Sequence, residues 1–161
     1  MNRRIWPLML AGATLVAIGW GGRRVARIAA PIDWKAVEQA LGRPGAMQPD
    51  DVYKFGLPRT DLTVTVAGIQ LKPAFALSSW IAFKETSSGS IAMGDLVLRD
   101  DEIEPVMAKL AEGSIDVTAL HHHLLHETPR IYYMHIHGAG DAVKLAHAIR
   151  AAVGLTRTPP R

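Results

Sequence analysis

The chain has 161 residues, enough for one domain with its own buried core, and its composition is that of an ordinary globular protein. It has no cysteine, which excludes a disulfide framework, a thiolate metal site and a lipidated N-terminal cysteine. The formal net charge is +3, but residues 1–30 hold five arginines and no acid, so the rest of the chain is slightly acidic. Nucleic-acid binders carry positive charge on the folded domain, so this class is disfavoured.

Residues 1–30 have the composition of a leader. Arg3 and Arg4 precede an uncharged, mostly apolar run, Ile5–Trp20, which ends at two glycines. This run is longer than a typical signal-peptide core of about 7–15 residues and shorter than a spanning helix of about 20. We predict a hydrophobic helix that is a signal peptide or an N-terminal membrane anchor, with a buried helix of a soluble domain as the alternative. The domain itself is then periplasmic or on the extracytoplasmic face of the membrane.

The predicted domain, residues 31–155, begins with a short helix. Asp33 is placed to cap "WKAVEQAL", which Gly42 ends. After a loop rich in glycine and proline, short strands are predicted at 52–55, 62–67 and 69–71. The segments "SSWIAFKE" and "SIAMGDLVLR" flank "TSSG", which is typical of a hairpin.

The C-terminal half continues with a helix, a second hairpin and a last helix. The first helix starts at Asp100 or Asp101, and the second begins at Asp141. Between them, "IDVTALHHHLL" and "RIYYMHIHG" are predicted strands joined by "HETP"; residues 156–161 are a predicted flexible tail. Hairpins separated by single helices favour an α+β two-layer sandwich, an antiparallel sheet with helices packed on one face.

The histidines are concentrated in the second hairpin. Six of the seven lie at positions 121, 122, 123, 126, 135 and 137. Strand residues two apart share a face, so His121 and His123 point the same way, as do His135 and His137. A turn around position 128 would pair His121 with His135 and His123 with Tyr133, with paired Cβ atoms about 4.5–5.5 Å apart. The seventh, at position 147, is predicted on the solvent side of the last helix.

This pattern predicts a metal site. Nitrogens from His121, His123 and His135, with one open position, form the ligand set of catalytic zinc, which is the favoured ion; copper, iron or nickel would also fit. His137 is a further candidate ligand near the strand end. Glu127, in the turn, could add a ligand oxygen or act as the base in metal-assisted hydrolysis. The alternative is that the histidines serve solvation and polar packing.

Other polar residues have ordinary structural explanations. The sequence contains no GxSxG, GxxxxGK[ST] or GxGxxG motif. Lys54 and Arg59 could hold an acidic ligand if they faced the histidines, but solvated surface positions are the default. Asp95, in "GDLVL", is predicted to be a turn or pairing residue.

The segments "VYKFGLPRTDL", "SWIAF", "GDLVL" and "VTALHHHLLHETPRIYYMHIHGAGD" resemble the bacterial LppY/LpqO-like family. The resemblance runs from Trp34 to about Gly154 and implies an exported domain without an established activity. Family motif positions fall on five residues: His121, His123, Glu127, His135 and Asp141. His122 stands where the family more often has asparagine, and His126 where it has an aromatic or aliphatic residue. Family members often carry a lipidated cysteine or two copies of the domain, and this chain has neither.

Two functions follow from these patterns. One is an exported or membrane-anchored domain that binds a transition metal; if it is an enzyme, its expected chemistry is metal-assisted hydrolysis. The other is a non-catalytic accessory subunit of a membrane protein complex. The expected partners are the membrane, through the N-terminal segment, and a second copy of the chain or a larger membrane complex.

Overall fold

The computed structural model describes residues 31–159, so the predicted leader helix lies outside the described residues. The helices are α1 (Trp34–Leu41), α2 (Pro73–Ala76), α3 (Asp100–Glu112) and α4 (Ala142–Val153). The strands are β1 (Ala46–Gln48), β2 (Val52–Pro58), β3 (Thr65–Val66), β4 (Ile69–Gln70), β5 (Ser78–Thr86), β6 (Gly89–Arg99), β7 (Asp116–His121) and β8 (Ile131–Gly140). None of the helices within 31–159 has the length and apolar character needed to cross a bilayer.

Six strands form one antiparallel sheet in the order β1-β2-β5-β6-β8-β7. The helices α1, α3 and α4 cover one face of it. Their buried side chains, such as Val37, Val106 and Leu145, share one core with Phe55 and Ile136 of the sheet. The predicted α+β fold, an antiparallel sheet with helices packed on one face, is confirmed.

The two predicted helix caps are present. The Asp33 carboxylate accepts hydrogen bonds from the backbone N–H groups of Lys35 and Ala36, at 3.0 and 3.1 Å. Asp141 caps α4 in the same way, accepting from the N–H of Lys144 at 2.8 Å. Each cap satisfies donors that the first turn of a helix leaves without partners, so the local sequence determines where these helices begin.

The sheet face opposite the three long helices is partly covered by residues 60–77. This segment contains α2 and a separate two-stranded ribbon formed by β3 and β4. It buries a second core, in which Leu62, Val64 and Leu77 pack with Val97 and Tyr133 of the sheet. The predicted strand at 62–67 is therefore shorter than expected, because most of that segment packs on the sheet without pairing with it.

The predicted pairing of the second hairpin was wrong by two residues. His121 pairs with Tyr133, and His135 pairs with Ala119, because the hairpin turns around position 127. A bulge between Val117 and Ala119 then shifts the pairing of Asp116 and Val117 by one residue. The β7 strand ends at His121, and residues 122–130 form a connecting segment. A shift of two residues preserves the side-chain alternation, so the predicted faces are unchanged.

Candidate metal site

Three histidines converge on the sheet face opposite the long helices. His121 is the last residue of β7, and His135 lies in β8, where it is flanked by Ala119 of β7 and Asp95 of β6. His123 comes two residues after β7, in the connecting segment 122–130. One ring nitrogen of each histidine lies within 4.8 Å of those of the other two. We call His121, His123 and His135 the histidine triad.

The ring planes of the triad are tilted by 29–36° to one another, and the ring centres of His123 and His135 are 6.3 Å apart. The ring centre of His121 is 4.9 Å from that of His123 and 4.9 Å from that of His135. In a tetrahedral zinc site, bond lengths of 2.0–2.1 Å place ligand nitrogens about 3.3 Å apart. Ring rotations can close the remaining gap, since His121 and His123 are exposed and His135 is partly exposed. The geometry therefore suits a three-nitrogen metal site.

Tyr133 supports His123 of the triad. Its ring is parallel to that of His123, with centres 3.5 Å apart and an interplanar angle of 12°. The Tyr133 hydroxyl donates a hydrogen bond to the carbonyl of Ala76 at 2.8 Å. Burial, followed by the negative charges of Asp95 and Glu127, raises the pKa of Tyr133 to about 12. Tyr133 is thus a neutral platform at physiological pH, fixed to α2 by its hydroxyl.

The surroundings of His123 favour its neutral form, which is the form that binds metal. Desolvation is the largest cause and lowers the pKa of His123; the Asp95 charge opposes it, and His121 and His135 lower the pKa further. Although much of the residue is exposed, one ring face lies against Tyr133 and away from water.

Two carboxylates lie at similar distances from histidines of β8 but in different environments. The Asp95 Oδ1 atom is 4.0 Å from Nδ1 of His135, and Asp95 is only 8% exposed. The Asp116 Oδ2 atom is 3.9 Å from Nδ1 of His137, and the Asp116 side chain is 82% exposed. His137 faces the same way as His135 but is not in the group of converging nitrogens.

Glu127 lies apart from the triad. It is buried, its Oε1 atom is 3.5 Å from Nδ1 of His122, and it accepts a hydrogen bond of 3.5 Å from the N–H of Ile131. The His122 Nδ1 atom is 2.7 Å from the carbonyl of Ile131 and therefore carries the proton, because a carbonyl only accepts. Among residues 31–159, no carboxylate joins the converging nitrogens of the triad.

Three further histidines, at positions 122, 126 and 147, do not belong to the triad. The ring of His122 contacts Tyr132, which alternates with Tyr133 and so lies on the other side of the sheet from the triad. His126 is exposed, and its backbone has a positive φ of 64°. His147 is exposed on α4, as predicted.

Asp95 is the residue at this site that the sequence did not reveal. The pattern "GDLVL" places an aspartate in a strand, but it does not place that aspartate next to a histidine, because β6 and β8 are neighbours only in the folded sheet.

The prediction that Arg59 is a solvated surface residue was wrong. It is completely buried and forms a two-pronged ion pair with Glu102, so it is not a solvated residue.

Comparisons with known proteins identify a family. A family model described as Domain of Unknown Function (DUF1259) matches residues 35–155. No curated protein matches the chain, and no solved structure does.

Proposed function

The chain belongs to the DUF1259 family of unknown function, and we propose that it is a metal-binding domain in which His121, His123 and His135 bind one transition-metal ion. The observation that carries this proposal is the approach of the three ring nitrogens to within 4.8 Å of one another. Imidazole nitrogens are borderline ligands that bind zinc, copper, iron and nickel; we propose zinc, because three nitrogens with one open position are the ligand set of catalytic zinc sites. The LppY/LpqO-like resemblance supports placing the ligands at these positions.

The proposed site leaves part of the coordination sphere free. Three protein nitrogens leave the fourth position of a tetrahedral ion to water or a substrate, which is the ligand count of catalytic zinc sites. An ion held by the three histidines would lower the pKa of the water bound at the fourth position and so supply a nucleophile at neutral pH. Hydrolysis also needs a base beside that water, and Glu127 contacts His122 instead. Metal-assisted hydrolysis with Glu127 as the base therefore stays a prediction, and His137 stays a predicted additional ligand.

The metal content of protein purified without a histidine tag tests the proposal. We expect one zinc ion per chain in the wild type after dialysis against zinc, and no stoichiometric metal in His121→Ala or His135→Ala. His147→Ala is the matched control, because it removes an exposed imidazole on α4, which packs on the sheet face opposite the triad, and should retain the ion. Full retention of metal by both triad variants would refute the site.

We further propose that the domain acts outside the cytoplasm. The support is the composition of residues 1–30, with arginines before an apolar run. N-terminal sequencing of the chain recovered from a periplasmic or membrane fraction tests this. A chain recovered only from the cytoplasmic fraction would contradict it.

A further inference from the structure

Asp95 has a buried oxygen that the fold leaves without a partner. The residue lies in the middle of β6 and is 8% exposed. Its Oδ1 atom is buried and has no hydrogen-bond partner among residues 31–159. Buried polar atoms in native proteins are nearly always hydrogen-bonded, and an unsatisfied carboxylate oxygen is costly. Because this oxygen lies beside the candidate metal site, we look for its partner among the residues of that site.

A candidate partner is His135, a member of the histidine triad. Asp95 and His135 are directly paired across β6 and β8. The distance from Asp95 Oδ1 to His135 Nδ1 is 4.0 Å, which is too long for a hydrogen bond but within reach of a small rotation of either side chain. Asp95 is not in the group of converging ligand atoms, so it lies beside the proposed site and not in it.

We propose that Asp95 is a positioning residue for the metal site: its carboxylate accepts a hydrogen bond from Nδ1–H of His135 and directs Nε2 of that ring to the ion. This inference rests on the proposed function. Histidines that bind metals commonly donate their second N–H group to a carboxylate, which determines the tautomer, orients the ring and makes the binding nitrogen more basic. The contact would also satisfy Oδ1 and bring negative charge close to the cation.

The chain contains a matched control for this role. His137 and Asp116 have almost the same separation, 3.9 Å between Nδ1 and Oδ2, and they lie on the same sheet face. However, the Asp116 side chain is 82% exposed, and His137 does not belong to the triad. Removal of the Asp116 carboxylate therefore tests whether any aspartate beside a histidine in this sheet affects metal affinity.

The test is a zinc titration of the full chain against a chromophoric chelator at pH 7.5. Loss of a carboxylate that supports a ligand histidine typically weakens metal binding about 10–100-fold. We expect a loss of that size in Asp95→Ala, a smaller loss in Asp95→Asn, because its amide oxygen still accepts a hydrogen bond, and no change in Asp116→Ala. Circular dichroism of the metal-free proteins checks folding, and the nearly isosteric Asn variant provides the test if the Ala variant does not fold.

Nitrogen-15 NMR of the imidazoles gives a second readout that a purely structural role would not change. In the zinc-loaded wild type, we expect His135 to carry its proton on Nδ1 and to bind zinc through Nε2. Zinc bound through Nδ1 of His135, or wild-type affinity in both Asp95 variants, would overturn this inference and leave the metal site intact. A wild type that binds no zinc would overturn the proposed function and this inference together.

Discussion

His123 differs from the other two members of the triad in having no strand pairing of its own. His121 and His135 are placed by β7 and β8, whereas His123 follows the end of β7 and depends on ring stacking with Tyr133. Its position is therefore more sensitive to a single neighbouring side chain than the positions of the other two.

This dependence predicts different results for two substitutions of Tyr133. Tyr133→Phe keeps the ring but removes the hydrogen bond to Ala76, so stability should fall by about 0.5–1.5 kcal/mol while zinc affinity is unchanged. Tyr133→Leu removes the stacking surface, so zinc affinity should fall as well. Urea unfolding and zinc titration of both variants measure the two effects. Equal losses of zinc affinity in both variants would show that the ring does not position His123.

The lowered pKa of His123 predicts a pH dependence of stability. Because the pKa in the folded, metal-free domain lies below the ordinary value of about 6.5, the unfolded chain binds more protons between these two values. The contribution of His123 to stability is therefore fully present above about pH 6.5 and decreases as the pH falls below it. Urea unfolding with a chelator present, at pH 7.5 and 5.5, should show a larger decrease in the wild type than in His123→Gln. The opposite order would contradict the direction of the shift.

At the scale of elements, the central strand β6 is closely packed at Gly94. It lies between β5 and β8, and a Cβ atom added at Gly94 would lie 2.6 Å from Cδ1 of Ile81 and 2.9 Å from the carbonyl oxygen of Trp80. The second atom belongs to the backbone and cannot move aside without shifting the strand. A side chain at this position would therefore separate the two central strands.

We predict that Gly94→Ala destabilises the domain by about 1–3 kcal/mol through overpacking. Gly56→Ala is the matched control, since it is also a strand glycine and a Cβ atom there meets nothing within 4 Å. Its effect should stay within about 0.5 kcal/mol. The free energies of unfolding in urea check both values, and similar effects at the two positions would contradict the packing argument.

The elements of the domain were largely predictable because local patterns determine them. Strand-like segments on either side of "TSSG" and "HETP" indicated the two long hairpins, and Asp33 and Asp141 marked the helix starts. The face shared by His121 and His135 was also predictable, since it depends only on side-chain alternation. The pairing register was not, because the length of the connecting segment 122–130 and the bulge in β7 are not encoded in a short motif.

The contributions of Asp95 and Arg59 required the folded chain. Each residue acts through a partner on a segment distant in sequence: Asp95 pairs with His135 across the sheet, and Arg59 meets Glu102 at the start of α3. Sequence patterns assign these two charged residues to a turn and to the surface, but both are buried in the folded domain. Charge type alone does not indicate such burial.

At the scale of the whole molecule, Arg59 connects the parts of the domain. Its guanidinium binds Glu102 through two hydrogen bonds of 2.8 and 2.9 Å, the carboxylate of Asp61, and the carbonyl of Val97 at 2.6 Å. Burial lowers the pKa of Arg59, but hydrogen bonds and charges from Asp61 and Glu102 outweigh it and raise the pKa, so the group stays charged. The segment over one sheet face, β6 and helix α3 are thus joined at one side chain.

Removal of this side chain should destabilise the domain strongly. Arg59→Met leaves the buried carboxylate of Glu102 without its cation, and such a loss typically costs about 3–5 kcal/mol. Lys109→Met is the matched control, because it breaks an exposed ion pair with Glu112 and should cost less than about 1 kcal/mol. Unfolding in urea measures both, and a small effect at Arg59 would show that water replaces the lost contacts.

The bridge between Thr65 and Thr128 connects the β3 strand to the segment that carries His123. Each residue donates its backbone N–H to the carbonyl of the other, at 2.9 Å in both directions. If opening of this segment pulls His123 away from a bound ion, zinc should slow hydrogen–deuterium exchange at these two amides, about 100-fold at a free zinc concentration 100 times the dissociation constant. The amide of Gly154, at the end of α4, is the control: we expect it to exchange when the helix end frays, so zinc should not change its exchange rate. The exchange rates of two threonine amides outside the triad would then measure zinc binding.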